Sequence, residues 1–99
     1  MAAVDFPNLF DAQSGNASGT KIAWNGGIGT FQAWGAFEGA TCKLQMAFDS
    51  GGAWTDVGDD VSFTAAGVGN FQLAPCWIRA DLSGGGSPSP SVSAHARPA

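Results

Sequence analysis

Few side chains in this chain of 99 residues have the types and spacing that catalysis requires. His95 is the one histidine, so any Ser–His–Asp or Cys–His arrangement would have to run through it. It stands beside small residues on what reads as an edge strand, a poor setting for a general base. Asp56, Asp59 and Asp60 cluster in one loop and could ligate Ca²⁺ together with backbone carbonyls. Their spacing lacks the regular oxygen ladder of a Ca²⁺ loop, and solvated turn carboxylates are the expectation. Cys42 and Cys76, with one distant histidine, are too few ligands for a zinc site, and two cysteines make no disulfide framework. Buried free thiols are expected there. The chain reads as non-enzymatic, with no cofactor and no metal.

The informative excess is aromatic. By strand parity Trp34 shares a face with Gln32 and Glu38, and Trp77 with Arg79 and Asp81, so both rings should point away from the core. Outward tryptophans mark an interface or a surface that stacks on sugar rings. The arm before them carries Phe6, Leu9 and Phe10 without any period of its own. Such an arm should lie on this domain or on a neighbour, and with Trp34 and Trp77 it completes the expected interface set.

The elements that must position these residues are strands. Cys42, Leu44, Met46 and Phe48 alternate with Thr41, Lys43, Gln45 and Ala47, the period of a strand with one buried face. Phe31, Ala33, Gly35 and Phe37 alternate likewise, and Gly39 and Ala40 join the two runs, which predicts an antiparallel hairpin. Residues 21–24, 54–57, 61–64, 70–73 and 76–82 read as further short strands. Val92, Ala94 and Ala96 alternate with Ser93, His95 and Arg97, predicting an edge strand at 91–97 beside 76–82 after a Gly/Ser/Pro loop at 83–90. The hexapeptide at 27–32 (GIGTFQ) recurs at 67–72 (GVGNFQ), a Gly-rich device that delivers an inward Phe twice. No helical period exceeds two turns. An antiparallel β-sandwich of seven or eight short strands, jelly-roll-like or immunoglobulin-like, is expected over residues 20–99, preceded by an arm at 1–19. Its expected core is Phe31, Phe37, Leu44, Met46, Phe48, Phe63, Phe71, Ile78 and Leu82.

Composition narrows the partners. The net charge is −4, and the basic side chains, Lys21, Lys43, Arg79 and Arg97, are scattered, so nucleic acid is a poor partner. No apolar run is long enough to span a bilayer, and residues 1–8 lack the features of a signal peptide; synthesis in the cytoplasm is expected, with no membrane partner. A chain of this mass should bury about 64% of its unfolded surface, which leaves a single core little reserve and makes association useful.

Two resemblances follow from particular residues. Asp49, Gly51, Gly52 and Trp54 resemble the Asp-box hairpin of sialidases and other β proteins, with Ala47 and Ala53 at that motif's Ser and Thr positions. The resemblance implies a turn-stabilising role and no catalysis. The strings at 29–45 (GTFxxxGxFxGATxxLQ), 49–58 (DxGGxWxDVG) and 69–80 (GxFxLxPxxIRA) resemble small β-sandwich virion proteins of tailed bacteriophages. This chain departs from them at Cys42, Cys76, Trp77 and the SGGGSPSPS insertion. What that resemblance implies is a capsid decoration (cement) protein that binds the major capsid protein on the virion surface, as a homo-oligomer and most simply a trimer. The alternative is a carbohydrate-binding or adaptor module of a phage fibre, neck or tail.

Overall fold

A computed structural model describes residues 9–14, 17–49, 51–85 and 89–98. Its strands are β1 (Phe10–Gln13), β2 (Ala17–Ser18), β3 (Ile22–Trp24), β4 (Gly27–Ala36), β5 (Thr41–Ala47), β6 (Thr55–Asp56), β7 (Ser62–Phe63), β8 (Gly67–Leu73), β9 (Cys76–Ser83) and β10 (Ser91–Pro98). One turn of 3₁₀ helix, Asp59–Val61, is the only helix among the described residues. Every strand pair is antiparallel. A four-stranded sheet runs β1-β10-β4-β8, and a six-stranded sheet runs β2-β9-β5-β6 with β3 also on β9 and β7 also on β5. The two pack face to face, so the chain is an antiparallel β-sandwich.

The core lies where the period-two pattern put it. Phe31 and Ala33 of β4 and Val92, Ala94 and Ala96 of β10 face Cys42 and Leu44 of β5 and Cys76, Ile78, Ala80 and Leu82 of β9. Alanines on β10 leave room for the Phe31 ring, which is fully buried and stacks on Phe63 at 6.1 Å. Met46 and Phe63 pack against this core from partly buried positions.

The repeated hexapeptide has a structural explanation. β4 and β8 pair in a register that sets Phe31 opposite Gly69 and Phe71 opposite Gly29. Each copy's inward ring therefore lies across from the other copy's glycine. A Cβ on Gly29 would come within 2.5 Å of Trp24 and 2.6 Å of Phe71, and one on Gly69 would run into the Asp60 carbonyl oxygen. Trp24 fills the space so cleared, 5.0 Å from Phe71.

Four features differ from the sequence reading. The strands on either side of Gly39 do not form a hairpin, because β4 and β5 belong to different sheets. Both edges of β4 are taken by β10 and β8, and the link passes between layers with Phe37 and Ala40 buried. Positive φ at Glu38 (49°) and Gly39 (84°) turns it, and the Ala40 N–H donates to the Phe37 carbonyl at 2.8 Å. The C-terminal strand forms, but inside the four-stranded sheet between β1 and β4 rather than at an edge beside β9. The flanks of β9 are already occupied by β5 on one side and by β2 and β3 on the other. Residues 9–18 are not a separate arm where they are described, since β1 is an edge of one sheet and β2 of the other. Phe48 is not core: the strand ends at Ala47, and the bend after it leaves the ring 71% exposed.

Candidate functional site

The inward faces of both sheets are spent on the core, so anything the chain recognises must meet an outward face, an edge or a loop. On the six-stranded sheet the outward residues of β5 and β9 are paired by register: Lys43 with Asp81, Gln45 with Arg79, Ala47 with Trp77. They satisfy one another. Arg79 Nε donates to Gln45 Oε1 at 3.0 Å, Gln45 Nε2 donates to Asp56 Oδ1 at 2.9 Å, and Lys43 Nζ reaches Asp56 Oδ2 at 3.1 Å. The Gln45 amide, then Lys43, hold the Asp56 carboxyl below its ordinary range. The Arg79 guanidinium also lies 4.3 Å above the Trp54 ring, and Ser18 Oγ donates to Asp81 Oδ1 at 3.0 Å. This face is closed by its own side chains.

The outward face of the four-stranded sheet is different. Register lines up His95, Gln32 and Val68 in one row across β10, β4 and β8, and Arg97, Thr30 and Asn70 in the next. Trp34 stands opposite Ser93. Trp34 is 37% exposed, Ile28 54% and Val68 61%. Between these side chains lies a depression of about 590 Å³ lined by Thr30, Gln32, Trp34, Val68, His95, Arg97 and Pro98. Thr30 Oγ1, in this lining, donates to Asn70 Oδ1 on β8 at 2.9 Å. Arg97 Nη2 lies 3.3 Å from His95 Nε2. Burial first, and the Arg97 charge second, push the His95 imidazole below its ordinary range, which keeps it neutral near pH 7 and lets Nε2 accept that guanidinium N–H.

The expected interface residues scatter. Trp34 is exposed at this depression, whereas Trp77 is half-buried on the outer face of the opposite sheet, so the two rings cannot serve one site. Leu9 and Phe10 are withdrawn from any interface: they are 2% and 3% exposed inside the core, with the Leu9 N–H bound to the Ala94 carbonyl at 2.8 Å. An edge strand that pairs with β10 has no other place for two large apolar side chains. Phe6 lies outside the described residues. The Asp49 turn closes through its backbone, Gly52 N–H to the Asp49 carbonyl at 2.9 Å, next to Gly51, and Trp54 packs under Arg79.

Cys42 and Cys76 are free and buried. Burial, helped by the charge of Asp81, pushes the Cys42 thiol up to about 12, and burial alone raises Cys76. Both are therefore poor nucleophiles. Among the described residues no group of three or more His, Cys, Asp or Glu is placed to hold a metal ion. No helix among them is long and apolar enough to cross a membrane. The residues that sequence reasoning missed are Ile28, Gln32, Val68 and Arg97; parity alone turned them outward, but the strand order that gathers them was not readable. No family model, curated protein or solved structure matches the chain.

Proposed function

We propose that the chain is a non-enzymatic bacteriophage virion protein, a capsid decoration (cement) protein that grips the major capsid protein. The motif resemblance supports the virion setting. The observation that carries a binding role is Phe48, which is 71% exposed in the bend directly after β5. It follows directly on Ala47, the register partner of Trp77, so two aromatics stand at one end of the β5–β9 pair. A ring held that far out of a sandwich with little core to spare contributes nothing to folding, and aromatic anchors of this kind dominate interface energies. Decoration also requires nothing of a catalytic centre: it requires a stiff scaffold, which two antiparallel sheets provide. Copies of the chain gather at symmetry axes of the shell in this reading, most simply as trimers.

The test is occupancy of undecorated capsids by the purified chain. Phe48→Ser and Trp77→Ala are expected to lower occupancy at least tenfold while the fold persists. Full occupancy by both variants would contradict the assignment of this end of the molecule to the shell. The alternative, a carbohydrate-binding module of a fibre, neck or tail, would use the outward face of the other sheet.

A further inference from the structure

We propose that the depression on the four-stranded sheet is a binding site for an acidic saccharide, a pyranose whose ring stacks on Trp34 and whose carboxylate pairs with Arg97. The inference does not depend on the shell contact, which uses the other sheet.

Four observations carry it. The first is the composition of the lining: one exposed indole, two aliphatic side chains (Val68 and Pro98), an amide, a hydroxyl, an imidazole and a guanidinium, within about 590 Å³. That volume falls in the range of small-ligand sites, and the lining offers donors and acceptors in several directions, as a ring bearing many hydroxyls requires. The second is charge. The chain carries −4 overall, yet none of the six carboxylates whose side chains are described (Glu38, Asp49, Asp56, Asp59, Asp60 and Asp81) lines the depression. Asp60 lines a separate hollow on the other side of Val68. Among the described side chains, no carboxylate shares the depression with the Arg97 guanidinium, which is therefore positioned for an external anion. A guanidinium is the group that grips a carboxylate with two parallel hydrogen bonds.

The third is the pairing of Arg97 with His95. The neutral imidazole accepts one guanidinium N–H at 3.3 Å and leaves the other donors of the fork for a ligand. Lys43 and Arg79, by contrast, are engaged by Asp56, Gln45 and Trp54 on the closed face. The fourth is location. All of its lining except Val68, which stands on the edge strand β8, comes from β10 and β4, strands whose backbone groups are paired on both sides. Extended peptides bind by adding backbone hydrogen bonds to a free edge, which β10 and β4, the strands that carry Trp34 and Arg97, do not present. Nucleic acid would need several cations in a row, and one guanidinium does not neutralise a phosphate backbone. A sugar carrying a single carboxylate per ring fits one arginine and one indole.

The test is titration of the full chain with tetragalacturonate, with its methyl-esterified form and with cellotetraose, followed by calorimetry and amide chemical shifts. Saturable binding of the acidic tetramer is expected, at least tenfold tighter than either neutral ligand, with shifts confined to β4, β8 and β10. Arg97→Gln should weaken it at least tenfold, Arg97→Lys should recover part of the loss, and Trp34→Thr should abolish it. Arg79→Gln, on the closed face, should leave it unchanged. Equal affinity for the esterified tetramer would overturn the proposal by showing a sugar site blind to charge. Absence of binding to all three ligands, or tighter binding of a poly-glutamate peptide than of tetragalacturonate, would overturn it as well. Capsid occupancy, read with the Phe48 and Trp77 variants, is a separate result and stands or falls without this one.

Discussion

The outward faces of the two sheets are built from similar parts and put to opposite uses. Each presents a tryptophan, an arginine and a glutamine on neighbouring strands. On the six-stranded sheet the arginine lies over Trp54 and donates to Gln45, whose amide is bound in turn by Asp56, so ring, cation and amide are used up internally. On the four-stranded sheet the same three types, Trp34, Arg97 and Gln32, surround a depression instead of one another. The difference is a carboxylate. Asp56 on β6 and Asp81 on β9 organise the closed face, and among the described side chains nothing acidic lines the open depression. One face therefore contributes to holding the sandwich together, while the other is left for a ligand.

That contrast can be broken from beneath. The core under both faces is shared, so truncating it should damage them alike. Phe10→Ala is expected to cost about 3–5 kcal/mol in urea unfolding, because a 3%-exposed ring in the core leaves a cavity. An assembly role for Phe10 predicts instead full stability with lost association, so the two readings separate in one experiment.

The closed face also reaches into the core. Asp81 adds to the burial that raises the Cys42 thiol to about 12, so the folded state resists losing that proton where the unfolded chain gives it up near 9. Between these values the unfolded chain binds fewer protons than the folded one. Stability should therefore fall with rising pH above about 9, by about 1.4 kcal/mol per pH unit at most. Cys42→Ala should flatten that slope, and an unchanged slope in the variant would show that Cys42 is not its source.

A smaller effect sharpens the contrast on the surface itself. Arg79→Ala removes the ring contact and one hydrogen bond from a half-buried network and should cost about 1–2 kcal/mol. A loss below the error of the measurement would mean that the closed face contributes nothing to the fold.

How far the sequence foretold this depends on the distance over which each signal acts. Alternation is local, so the strands at 76–82 and 91–97 and the outward position of Trp34 were legible from neighbours two residues apart. Sheet membership is not local. Gly39 and Ala40 look like a hairpin turn, and only the burial of Phe37 and Ala40 reveals a crossing between layers. The last strand was legible as a strand, but its place between β1 and β4 depends on partners more than 50 residues away in sequence, beyond the reach of periodicity. Phe48 kept the parity of a core residue and lost it because β5 stops one residue earlier. The depression suffered most: its lining comes from β4, β8 and β10, and no spacing in the chain announces that those three strands are adjacent.

The most direct test of the central claim, that the open face is kept for a ligand and not for the fold, is the unfolding free energy of one triple variant. Ile28→Thr, Trp34→Thr and Val68→Thr together replace the exposed apolar side chains of that face with a residue that suits strands. The account predicts stability within about 1 kcal/mol of the unaltered chain, since exposed positions contribute little to folding. A loss of about 3 kcal/mol or more would contradict it, and would show that the face belongs to the architecture of the sandwich.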